Sequence, residues 1–119
     1  MTYKEIDNII SSIGFPYAYY QFPNKTAQAP PFICFYYPQI NDLYADMTNY
    51  QRITELVIEL YTNNKDFAAE ATVEQALAAA GLTYGKAETY IDSEQLYEVI
   101  YGMGVVITPE KTEEVLTDG

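Results

Sequence analysis

The sequence predicts an α+β domain: a mostly antiparallel sheet of about four to five strands with two helices covering one face, in the order α-β-β-β-α-β-β. Three observations lead there. The run from Tyr50 to Tyr61 alternates with period two, placing Thr54, Leu56, Ile58 and Leu60 on one side and Ile53, Glu55, Val57, Glu59 and Tyr61 on the other, the pattern of a strand with one buried face. It follows an apolar strand signal, Phe32 to Tyr37, and precedes a helix signal, Asp66 to Ala80. The chain has no internal repeat, and 119 residues of 49% hydrophobic composition are expected to build one core.

In Thr2 to Ile13 the residues Ile6, Ile9, Ile10 and Ile13 recur at helical spacing. Thr2 is placed as N-cap with Glu5 as its capping-box partner, and Gly14 ends the helix. Tyr17 to Phe22 is an aromatic-rich strand candidate, and Pro23 to Pro31 a polar, proline-bounded loop. In Phe32 to Tyr37 both faces are apolar, as in a strand covered on two sides. Pro38 to Asn49 reads as a long connection rich in Asn and Asp. After the long strand, Thr62 to Asp66 is turn chemistry; Phe67, Val73, Ala76, Leu77 and Ala80 then outline a helix that Gly81 can close. Leu82 to Ile91 and Leu96 to Ile107 read as two strands joined around Asp92 to Gln95; the second also satisfies a helical period, but its Tyr and Val content favours strand. The domain is thus expected to occupy residues 1–107. Residues 108–119 form an acidic tail with few large apolar side chains, expected to be mobile in the isolated subunit.

The chain carries 17 acidic and 6 basic residues and no histidine, for a net charge of −11. Binding to nucleic acid depends on Lys and Arg displacing counterions, so this balance argues against a phosphate-binding surface. Without histidine the commonest general base and metal ligand are absent, and a single cysteine allows neither a disulfide nor a thiolate zinc site. Cys34, flanked by Phe and Ile, is most simply a core residue. No apolar run is long enough to span a membrane, and Met-Thr-Tyr-Lys-Glu-Ile-Asp does not resemble a signal peptide, so the expected place of synthesis is the cytoplasm.

Candidate chemistry is sparse, and no enzyme activity or cofactor is expected. Glu55 and Glu59 share a strand face about 13 Å apart at a rise of roughly 3.3 Å per residue, too far to share a proton, and are read as solvated charges. Asp42 and Asp46, with Asn41 and Asn49, could offer oxygens to Ca²⁺, but the run lacks the glycine and closing Glu of an EF-hand loop. Gly102-Met-Gly104 is a lone GxG within a strand pattern, read as a bulge or bend. The 13 tyrosines fit interface material, each a large ring with one hydroxyl.

Two helices can cover only one side of the sheet. Ile33, Phe35 and Tyr37, with Ile53, Val57 and Tyr61, are therefore candidates for a second apolar face used as a subunit interface. The alternative is that the sheet curls and buries them itself.

The order and spacing of several segments resemble the small tail-terminator, or tail-completion, proteins of the head-to-tail joining region of siphophages and prophages of Gram-positive bacteria. The segments are Ile13-Gly-Phe-Pro-Tyr17, Tyr20-Gln-Phe22, Ala29-Pro-Pro-Phe32, Ala45-Asp46, Tyr50 to Thr62, Ala80-Gly81-Leu82 with Tyr84, and Ile91 to Tyr97, spanning roughly residues 10 to 105. The resemblance implies a viral structural protein: a homo-oligomeric ring, expected to be a hexamer, that ends the tail tube and docks the head connector or head-completion protein while DNA passes through its lumen. Its implied partners are itself, the tail-tube protein and the connector. Its implied location is the head-proximal end of the virion tail, assembled in the bacterial cytoplasm. The loop carrying Asp42, Tyr44 and Asp46 is the expected docking loop. An acidic conduit would not retain phosphate, and an uncovered sheet face suits a heterologous ring contact. The alternative is a small acidic inhibitor that imitates DNA in the basic cleft of a nucleic-acid-binding enzyme.

Overall fold

The computed structural model describes residues 1–22, 28–38, 40–41 and 52–108. Helix α1 (Tyr3–Ile13) begins at the predicted capping box: the Thr2 hydroxyl accepts from the Glu5 amide at 3.1 Å, and the Glu5 carboxylate accepts from the Thr2 amide at 2.8 Å. It ends at Gly14, whose φ of 96° lies in the left-handed region that favours glycine. Strand β1 (Tyr17–Tyr19) follows, then β2 (Phe32–Tyr36), β3 (Ile40–Asn41) and β4 (Arg52–Thr62). Helix α2 (Phe67–Ala79), capped by Asp66, leads to β5 (Gly85–Ile91) and β6 (Leu96–Ile107). The C-terminus of α2 is a Schellman motif. The Leu82 amide donates to the Leu77 carbonyl at 3.0 Å, the Gly81 amide donates to Ala78 at 2.9 Å, and Gly81 supplies the positive φ.

The predicted class and order are those observed: two helices and a mostly antiparallel sheet. Strand order is β1-β2-β4-β6-β5, with β3 pairing β4. The sheet is organised around the β4–β6 ladder, antiparallel and unbroken from Arg52↔Ile107 to Thr62↔Tyr97. Because β5 is antiparallel to β6, it runs parallel to β4 with β6 between them, and α2 is the crossover of a split β-α-β unit.

Several local details differ from the sequence expectation or add to it, among them β5, which begins at Gly85 and not at Leu82. Strand β1 stops at Tyr19, because Tyr20 takes a φ of 70° and turns the chain out of the sheet. The β1–β2 pair is parallel, which the Tyr20–Pro31 connection is long enough to allow. Two residues of the expected long connection form β3. Gly102 and Gly104 make no bulge: they pair in regular register with Val57 and Glu55.

Both helices lie on one face, and the core sits under them. Ile6, Ile10 and Ile13 of α1 and Ala69, Val73 and Leu77 of α2 pack on Ile33, Phe35, Leu56, Ile58, Leu60, Val99, Tyr101, Met103, Val105 and Ile107. Each fully buried aliphatic side chain contributes about 1.5–3 kcal/mol of transfer free energy. The even positions of β4 face this core, as the alternation predicts.

Candidate functional site

The other face of the sheet carries no helix, and among the described residues it divides into an apolar half and an acid–tyrosine half. In the apolar half Ile53 pairs with Val106, and the two are 46% and 44% exposed. Half-buried Val57 and Ile100 lie on the same face. Gly102 and Gly104 raise no side chain there, and the exposed Glu55, opposite Gly104, stands between Ile53 and Val57.

The structure divides the predicted interface residues. Ile53, Val57 and Tyr61 stand on the open face. Ile33 and Phe35 do not: they pair with Leu60 and Ile58 and are buried under the helices, with Tyr37 packed against the same core. The physical reason is register. With both faces of β2 apolar, composition does not say which parity turns inward; pairing with the even positions of β4 settles it, leaving Phe32, Cys34 and Tyr36 on the open face. Asp42, Tyr44 and Asp46 lie outside the described residues, as do Asn49 and residues 109–119.

The acid–tyrosine half is centred on Tyr61. Its hydroxyl lies 2.9 Å from Glu59 Oε1 and 3.1 Å from Glu98 Oε2, and the Tyr36 hydroxyl lies 3.4 Å from Glu59 Oε2. Glu59 is therefore not the freely solvated charge its alternation suggested, whereas Glu55 is exposed. A phenol has one proton to give, so it can serve only one of two carboxylates as donor. Burial, and then the charge of Glu59, push the Glu98 carboxyl above its ordinary value. Burial followed by the Glu59 and Glu98 charges pushes the Cys34 thiol up to about 11, and burial and Glu59 raise the Tyr61 and Tyr36 phenols. Cys34 is thus a packed, protonated thiol.

Beside Tyr61 opens a cleft of about 320 Å³, lined in part by Tyr20, Phe22, Phe32, Cys34 and Glu94. Its rings are ordered against one another. Phe32 stacks on Tyr61 with centroids 4.9 Å apart, Phe22 meets Phe32 edge-on at 5.5 Å, and Tyr20 meets Tyr36 edge-on at 5.4 Å.

The helical side of the sheet holds a different ionic cluster. Glu70, 2% exposed, receives the ammonium groups of Lys65 and Lys86, each at 2.9 Å. Lys86 also reaches Glu74 at 2.7 Å, and Lys65 reaches Glu88 at 2.9 Å. The Tyr101 hydroxyl donates to Glu74 at 2.9 Å and Tyr97 to Glu88. This cluster fastens α2 to β5 and β6.

Among the described residues no three His, Cys, Asp or Glu side chains form a metal-ligating group, and no helix is long and apolar enough to cross a membrane. Sequence reasoning missed Glu98, Ile100 and Val106 as members of the open face. The signal was present in β6, where Leu96, Glu98, Ile100, Gly102, Gly104 and Val106 share one parity, but its partner strand had to be known first. Comparison of the chain with protein-family models and with curated proteins finds no match.

Proposed function

We propose that this chain is a structural assembly subunit of a phage or prophage tail, of the tail-terminator kind. It forms a homo-oligomeric ring that ends the tail tube and joins it to the head connector. The observation that carries the reading is the helix-free half-face, where Ile53 and Val106 pair side by side and remain nearly half exposed, with Val57 and Ile100 beside them and Glu55 the one carboxylate among them. Paired exposed apolar side chains on an uncovered sheet face are what a subunit contact buries. A ring needs a heterologous contact, so the half-face meets a different patch on the next subunit. The proposal assigns no catalytic role to any residue.

The DNA-mimic alternative needs carboxylates on one continuous face. Here Glu70, Glu74 and Glu88 are tied to lysines on the helical side, while Glu55, Glu59 and Glu98 lie on the other. That division favours assembly.

The deciding experiment is absolute mass by light scattering over a wide concentration range, with and without purified tail tubes. A ring-sized species, or one that forms on tubes and halts their growth, is the expected result. A monomer or dimer that leaves tube growth unchanged overturns the proposal.

A further inference from the structure

We propose that association through the open face takes up a proton at the paired carboxylates Glu59 and Glu98, so that acid tightens the contact and alkali loosens it. The inference rests on the assembly reading, in which that face meets the next subunit.

Position comes first. The apolar half and the acid–tyrosine half share the same two strands. Glu59 pairs with Ile100 across the β4–β6 ladder, Val57 stands two residues before Glu59, and Glu98 two residues before Ile100. Two strand residues span about 7 Å at a rise of roughly 3.3 Å per residue, and the run from Ile53 to Tyr61 spans about 26 Å. A subunit contact of ordinary size buries about 800 Å² on each partner, a patch roughly 30 Å across. A neighbour seated on Ile53, Val106, Val57 and Ile100 therefore also reaches Glu59 and Glu98 and shields them from water.

The surroundings decide how the pair responds. Glu98 is buried and Glu59 half-buried, and both carboxylates reach the Tyr61 hydroxyl, at 3.1 and 2.9 Å. Cys34 and Tyr36 stand on the same face of β2, and the Tyr36 hydroxyl also reaches Glu59. Uncharged Thr89 pairs with Glu98 from β5, Glu94 stands in the β5–β6 turn, and Glu55 lies further along β4. None of these groups is cationic. Lys65 and Lys86 are held by Glu70, Glu74 and Glu88 on the helical side, and Lys4 lies on α1. The phenols and the thiol carry no positive charge, and burial with the neighbouring carboxylates holds them protonated.

Removing water from two adjacent carboxylates with no cation at hand disfavours the doubly charged state, and a bound proton relieves it. Burial and Glu59 already raise the Glu98 carboxyl in the lone subunit, and a covering neighbour acts in the same direction. A carboxyl whose value is higher in the assembly than in the free subunit strengthens association fully below the free value. That contribution is lost as pH rises through the higher value of the assembly.

The test is absolute mass by light scattering over a concentration series, at pH values from about 5 to about 8, on tail tubes where the ring forms only there. The association constant per contact is expected to rise as pH falls, by up to about tenfold per pH unit for one proton taken up. Glu98→Gln is neutral at every pH and is expected to lose most of that slope while its circular dichroism stays that of the unmodified chain. Glu59→Gln neutralises the other member of the pair and should flatten the slope as well. Glu5→Gln/Asp7→Asn takes two charges off α1 and should keep the slope, as should Glu55→Gln, which removes the carboxylate of the apolar half.

A slope that survives both Glu98→Gln and Glu59→Gln, or that is lost in Glu55→Gln alone, overturns the proton coupling and leaves the ring standing. So does association that tightens as pH rises, the sign of a cation brought by the neighbour. Absence of association at every pH, in the unmodified chain and in Glu98→Gln alike, overturns the assembly reading itself and this inference with it.

Discussion

Glu59 and Glu98, on adjacent strands, meet at a single phenolic oxygen, that of Tyr61, at 2.9 and 3.1 Å. One hydroxyl proton cannot satisfy both carboxylates, and two half-buried negative charges on one oxygen repel. Burial and the Glu59 charge accordingly push the Glu98 carboxyl above its ordinary value. The open face therefore contains a group whose protonation is linked to folding.

That link has a sign. The Glu98 value is raised in the folded chain, so its protonated form is the one that folding favours. The contribution is fully present below the ordinary glutamate range and is lost as pH rises through the raised folded value. Urea denaturation at a series of pH values is expected to show stability falling over that interval. Glu98→Gln, which is always neutral, should abolish that part of the slope. An unchanged slope in the variant would refute the assignment.

The helical side responds in the opposite direction. Burial pushes Glu74 up, but the Lys86 ammonium and the Tyr101 hydroxyl outweigh it and hold the carboxyl below its ordinary value; the Tyr97 hydroxyl and Lys65 lower Glu88. Stability from these groups is present above the ordinary glutamate range and lost as pH falls through the lowered values. Glu70 is the buried hub of the cluster, but its two lysines are partly exposed and keep Glu88 and Glu74 as partners. Glu70→Ala is therefore expected to cost about 1–2 kcal/mol by urea denaturation, and Glu74→Ala, partly exposed, under about 1 kcal/mol.

Most of the fold was legible because its signals are local. Thr2, Glu5, Gly14, Asp66 and Gly81 act within one turn of where they stand, and the alternation of β4 needs no partner to be read. The candidate site was legible only in part, because its composition depends on register. Ile33 and Phe35 differ from Phe32 and Cys34 only in parity, and neither parity is polar. The meeting of Glu98 with Tyr61 joins residues 37 positions apart, and appears only once β6 is laid antiparallel beside β4.

Cys34 gives a direct check on the electrostatics of the open face. With the thiol pushed up to about 11, its thiolate fraction at pH 8 is roughly two orders of magnitude below that of an unperturbed cysteine. Its reaction with a thiol-specific disulfide reagent should be slower by about that factor than in the urea-unfolded chain. Glu59→Gln should speed it, since the Glu59 charge contributes to the shift. Equal rates in folded and unfolded chains would show that the thiol is neither buried nor held protonated.

The assignment of faces makes Ile33 and Ile53 opposite tests of the ring contact. Ile33 is fully buried against the helices, so Ile33→Lys places an unpaired ammonium in the core and is expected to cost more than about 4 kcal/mol, leaving little folded protein. Ile53 and Val106 are nearly half exposed on the helix-free side. Ile53→Lys and Val106→Lys should each leave the stability of the isolated subunit within about 0.5 kcal/mol. If the apolar half-face is the ring contact, the same two variants bury a charge at the interface, so the ring-sized species should disappear from light scattering while circular dichroism stays unchanged. A ring that survives both substitutions would place the contact elsewhere. A ring lost in a well-folded Ile33→Lys variant would mean that β2 presents its other parity outward, contradicting the register that joins it to β4.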